Sequence, residues 1–134
     1  MKMLILLCLL TSCVLYYPPE FISNSPEQMG IWVTQNIKQV NYLGWQSPQT
    51  TMQNKQGNEE DICILYMSML KEQAFIDSEL VIGFNPHEGG HEWVEYKGKR
   101  FNYLPGYIEY ERYTYTEVYN KMVQFQLPIT LKSE

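Results

Sequence analysis

Two short segments of this 134-residue chain carry side chains whose types and spacing could do chemistry. The first, Gly57-Asn58-Glu59-Glu60-Asp61, runs into an apolar stripe at helical spacing. The second, Gly90-His91-Glu92-Trp93-Val94-Glu95, alternates like a strand. A helix start is where a thiol nucleophile is usually placed, because the helix dipole favours the thiolate. A histidine on a facing strand then serves as its base. The pair has the layout of such a site without its thiol, with Glu59 at the helix start.

Two other arrangements compete for the chemistry. Cys63 lies one helical turn beyond Glu59 and shares its face, which leaves room for a displaced nucleophile working with His91. Its thiol would sit roughly 6 Å further along the axis, away from the dipole end and in apolar surroundings that raise a thiol pKa. A buried structural cysteine is the simpler reading. His87-Glu88-Gly89-Gly90-His91 matches the H-E-x-x-H of zinc hydrolases, which need a helix to turn both histidines to one metal. Its two glycines each cost ~1 kcal/mol in a helix, and Asn85-Pro86 precedes it. The segment therefore reads as a loop that enters a strand.

The elements that must position these groups follow from local signals. Ser25-Pro26-Glu27-Gln28 is a capped helix start, and Met29, Trp32, Val33, Ile37 and Val40 continue it to about Tyr42. Ser47-Pro48 opens a shorter helical turn that Gly57 stops. Asn58 caps a third helix whose stripe is Ile62, Leu65, Tyr66, Met69 and Leu70. The period then changes to two. Residues 79–84 form a core strand, and His91 to Tyr96 pair through a Lys97-Gly98 turn with Lys99 to Leu104. Thr114-Tyr115-Thr116-Glu117 is a capping box that opens a last helix to about Phe125. Helices, a hairpin sheet and a further helix make an α+β arrangement. The tyrosines between Tyr103 and Tyr119 read as residues packing over the small sheet, with an aromatic binding surface as the alternative.

Composition bounds the rest. The chain is 45% hydrophobic and 14% aromatic, which suits one folded domain. A net charge of -5 excludes an electrostatic footprint for nucleic acid. Lys2 followed by the apolar run Met3 to Leu10 has the length of a signal-peptide core. Residues 1–13 end on Leu10-Thr11-Ser12-Cys13, which resembles a lipobox, so Cys13 is the expected lipidation site of an exported protein, membrane-anchored, periplasmic or at the cell surface; a signal peptide cleaved elsewhere, with Cys13 incidental, and an uncleaved anchor extended by Val14-Leu15-Tyr16-Tyr17 are the alternatives. Residues 14–24 are the expected linker and 25–134 the domain. Cys63 is then the only cysteine left in the domain, without a disulfide partner.

In their order, the motifs resemble those of the transglutaminase-like cysteine-peptidase superfamily, which has a papain-like fold. Gly57, Glu60 and Asp61 match a Gly-Asp-Cys-Glu-Asp motif, with Asn58 for Asp and Glu59 for Cys. Gly90, His91, Trp93, Val94 and Glu95 match Gly-His-Ala-Trp-Val-Glu, with Glu92 for Ala. Pro105 matches the Pro of a closing Asp-Pro, and Leu104 replaces the Asp. Trp45-Gln46-Ser47-Pro48 resembles a segment upstream of the nucleophile in some bacterial members. The resemblance spans about Pro26 to Tyr119. It implies a papain-like core of helices packed on a small antiparallel sheet, with Glu59 at the nucleophile position, His91 as the surviving base, and a cleft formed by Trp45, Asp61 and Trp93. Asn102 lies two residues before Leu104, on the same strand face, and is a candidate to orient the imidazole. The implied function is an inactive, exported pseudoenzyme that binds a peptide or protein partner through the remnant cleft, with no cofactor and no metal. An active peptidase or acyl-transferase using Cys63 and His91, or a zinc hydrolase through His87 and His91, are the alternatives.

Overall fold

The structure is a computed structural model that describes residues 20–126. The leader, Cys13, the first part of the linker and residues 127–134 lie outside the described residues. Helix α1 (Pro26–Asn36) starts on Ser25, whose hydroxyl accepts from the Gln28 amide, with Pro26 at its first position. Helix α2 (Pro48–Asn54) repeats the device with Ser47 and Pro48. Helix α3 (Glu59–Ala74) has a full capping box: Asn58 accepts from the Asp61 amide, and Asp61 accepts from the Asn58 amide. Helix α4 (Tyr115–Gln126) is capped by Thr114 and Glu117 in the same reciprocal way.

Helix α3 runs through the centre of the domain. Every residue from Asp61 to Leu70 is buried, because α1, α2, α4 and the main sheet all pack on it. That is why its apolar content exceeds a single stripe. Tyr66 Oη donates to the Pro26 carbonyl at 2.9 Å, its ring stacks on Phe101 at 4.0 Å, and its hydroxyl meets that of Tyr96 at 3.1 Å. One side chain thus ties α1, the sheet and α3 together. The chain before α1 is also held: Gln73 accepts from the Ile22 amide at 2.9 Å and donates to the Glu20 carbonyl at 3.1 Å.

The main sheet has the order β5-β4-β3-β6, all antiparallel, from β3 (Glu79–Asn85), β4 (Gly89–Tyr96), β5 (Lys99–Phe101) and β6 (Ile108–Thr114). The β4–β5 hairpin turns at Lys97 and Gly98, both with positive φ, as a tight hairpin turn requires. Leu80, Val94 and Tyr96 face the helices, whereas Val81 and Trp93 are buried on the other face of the sheet. Gly83 is required there: a Cβ would lie 2.6 Å from the Trp93 ring.

Three expectations are corrected. Helix α1 stops at Asn36 rather than near Tyr42, because β1 (Lys38–Gln39) pairs in parallel with β2 (Gln56–Gly57). The third strand ends at Phe101 rather than Leu104, where Asn102 adopts a positive φ. The tyrosine-rich stretch contains a seven-residue strand, β6, which forms an edge of the sheet.

Candidate functional site

The first turn of α3 meets β4 where β4 has no strand partner on its β5 side. Strand β5 pairs only with Val94 to Tyr96, so the edge of β4 is open at Glu92. Glu59 fills that gap. Its Oε1 accepts from the Glu92 amide at 2.7 Å and pairs with Nδ1 of His91. The carboxylate therefore takes the place of a neighbouring strand while it sits on the positive end of α3. The two sequence motifs, some 30 residues apart, do converge as expected.

His91 is 9% exposed, and both of its ring nitrogens are engaged. Nε2 lies 2.6 Å from the Asn102 carbonyl oxygen, which can only accept, and Nδ1 faces Glu59. Tyr107 and Trp93 flank the ring at centroid distances of 5.0 and 6.2 Å. A general base needs a nitrogen lone pair turned to the proton it removes. This imidazole presents neither nitrogen to the cleft. Asn102 does orient the ring, but through its backbone carbonyl; its side-chain amide donates instead to the Glu92 carbonyl at 3.3 Å. The positive φ of Asn102 produces that division. Leu104 is half-exposed in the following loop.

Beside the pair is a cleft of about 610 Å³, lined by Tyr42, Leu43, Trp45, Glu59, Glu60 and Glu92 among others. Leu43 is fully exposed at its rim. Burial pushes the Glu92 carboxyl up to about 8, and the nearby charges of Glu60, Glu59 and Asp61 add to the effect. Burial also pushes Glu60 up to about 7, against the attraction of Lys121 and with help from Glu59. One oxygen of Glu92 is buried without a hydrogen-bond partner. At neutral pH the Glu92 carboxyl at this cleft is therefore mostly un-ionised.

Of the expected cleft residues, Trp45 lines this space. Trp93 does not: it is 3% exposed on the far face of the sheet, edge-on to Tyr103 at 5.2 Å. Asp61 does not either. It is fully buried and accepts from the amides of Gln46 at 2.8 Å and Asn58 at 3.0 Å, as well as from the Tyr42 hydroxyl. Asp61 is the anchor of the 42–46 loop that forms the cleft wall, and burial raises its pKa. Cys63 is fully buried, with Sγ 3.7 Å from the Glu92 carbonyl, and burial pushes its thiol well up. His87 lies in the turn between β3 and β4, where its amide donates to Asn85 at 2.8 Å; the H-E-x-x-H segment is a turn and a strand, not a helix. Among the described residues no three His, Cys, Asp or Glu side chains form a group that could hold a metal ion. Tyr42, Glu60 and Glu92 were missed as cleft residues. Three consecutive acids at a helix start read simply as dipole partners, and Glu92 reads only as the replacement for Ala in the strand motif. No protein-family model, no curated protein and no solved structure matches this chain.

Proposed function

We propose that this chain is a transglutaminase-like domain with a papain-like core that has lost acyl-transfer chemistry and uses the remnant cleft to bind a peptide or protein ligand. The observation that carries the reading is the pairing of Glu59, at a helix start, with His91 on the adjoining strand. It has the helix-to-strand geometry of a nucleophile and its base, with a carboxylate in the nucleophile's place. A carboxylate attacking an amide would give a mixed anhydride, a poor intermediate for acyl transfer. Here it is also tied to the Glu92 amide and the imidazole. Cys63 lacks the exposure and the low pKa that a thiol nucleophile needs. The cleft keeps an exposed apolar rim at Leu43 and hydrogen-bonding carboxyls at its floor, which suits an extended peptide. Export and a lipid anchor at Cys13 belong to the same proposal. Mass spectrometry of the chain made in a lipoprotein-competent bacterium tests it, and a mature protein starting at any other residue would remove the anchor.

The test of lost chemistry compares wild type, Cys63→Ala and Glu59→Cys against an electrophilic thiol probe and a panel of acyl substrates. Wild type and Cys63→Ala are expected to be equally inert, with Cys63 labelled only on unfolding. Glu59→Cys is expected to gain rapid labelling, because the new thiol sits at the helix start beside His91. Native labelling of Cys63, or turnover that Cys63→Ala abolishes, would overturn the reading.

A further inference from the structure

Two phenylalanines stand bare at the C-terminal end of α3, the end away from the cleft: Phe75 is 88% exposed and Phe21 71%. Gln73 ties their two segments together, because it accepts from the Ile22 amide at 2.9 Å and the Ser23 amide at 3.3 Å and donates to the Glu20 carbonyl at 3.1 Å. We propose that this end of the domain rests on the surface of a zwitterionic lipid bilayer, with both rings in the interface and the cleft turned away from the membrane. The proposal rests on the anchored reading given above, which supplies the membrane.

Three observations carry it. Phe75 is the C-cap of α3 at φ 56°, a left-handed conformation that glycine usually takes. A phenyl ring there is sterically disfavoured and, being exposed, adds nothing to the core. Phe21 is the second: its neighbour Ile22 packs on the core, and Phe21 is left in solvent. Third, the chain enters the domain at this point from the apolar leader. Between Cys13 and Glu20 the chain reaches at most ~25 Å when fully extended, so an anchor at Cys13 keeps this end close to the bilayer. Tyr16 and Tyr17 within that span are residues that favour the headgroup region. The charges nearby give no reason for acidic lipid. Lys71 pairs with Asp77 at 2.7 Å and Lys55 with Glu20 at 3.4 Å, and Glu72 adds a negative charge. Without an excess of Lys or Arg the attraction is apolar rather than electrostatic. Helix α3 has 16 residues, so the cleft at its start lies ~24 Å along the axis from Phe75, where a peptide can reach it.

The test places the full chain on phosphatidylcholine nanodiscs doped with a nitroxide-headgroup lipid and follows the backbone amides by NMR. Selective broadening is expected at Phe21, Ile22, Phe75 and Ile76, with Leu43, Trp45 and Glu60 spared. Joint replacement Phe21→Ser and Phe75→Ser should bring the broadening at Ile76 down to the level at Leu43. Phe75→Gly suits the left-handed backbone, so it should keep the fold intact and still reduce the broadening at Ile76. Mass spectrometry of the same sample reads the anchor separately. Broadening that is equal at both ends, absent from both, or unchanged in the double variant overturns the lipid surface, whether or not Cys13 carries lipid. Selective broadening of a chain without lipid on Cys13 supports the surface and removes the anchor. Concentration-dependent shifts at Phe21 and Phe75, without broadening on the disc, would assign these rings to a second copy of the chain and overturn the proposal.

Discussion

Replacing Glu92 by Gln tests the electrostatics of the cleft directly. Glu92 is held up to about 8 against an ordinary 4.5, first by burial and then by three neighbouring acids. A carboxyl with a raised folded-state pKa binds its proton more tightly folded than unfolded. Its contribution is therefore complete below about pH 4.5 and is lost as pH rises through about 8. The gap between 4.5 and about 8, at ~1.4 kcal/mol per pH unit, sets an upper bound near ~5 kcal/mol. Water at the cleft mouth reduces this to about 3 kcal/mol, still a large share of the roughly 5–15 kcal/mol typical of a domain. Gln keeps the shape and cannot ionise. Urea unfolding of wild type and Glu92→Gln, at intervals from pH 5 to 9, gives the difference. The two should be close at pH 5, and the variant's lead should grow from there to about pH 8 and level off above it. Glu60, pushed up to about 7, adds a slope of the same sign in both proteins, and its coupling to Glu92 is part of the measured difference. Curves that run parallel across the whole range would refute the buried-acid reasoning.

Two further substitutions probe how the site is held. Asp61→Ala leaves the Gln46 and Asn58 amides without their acceptor and should cost about 3 kcal/mol, with a changed near-ultraviolet signal from Trp45; a loss well under 1 kcal/mol in the same urea assay would show that the loop is held by other means. Gly83→Ala drives a methyl into the Trp93 ring and to 3.0 Å from the Ile108 carbonyl, so it should destabilise by about 1–3 kcal/mol and shift tryptophan fluorescence; unchanged emission and stability would mean that the ring moves freely.

What the sequence determined by itself was whatever a few consecutive residues decide. The caps at Ser25, Ser47, Asn58 and Thr114 each satisfy donors within three positions, and the Lys97-Gly98 turn is set by two dihedrals. The period-two pattern of β3 and β4 and the apolar face of α3 follow from spacing alone. The approach of Glu59 to His91 was readable from motif order, because a helix start and a strand carried the matching residues. Only the tertiary structure decided the rest, since those features depend on partners distant in the chain. A two-residue pairing with Gln56–Gly57 cut α1 short, and pairing with β3 made a strand of Ile108–Thr114, whose alternating acids and tyrosines carry no strong apolar signal. Asp61 turned inward because the 42–46 loop brought it donors, and Asn102 met His91 through its carbonyl because of one positive φ. Glu92 became a high-pKa acid because burial on β4 set it against the first turn of α3, some 30 residues earlier. A pKa is a property of surroundings, and the surroundings of Glu92 exist only once the chain has folded.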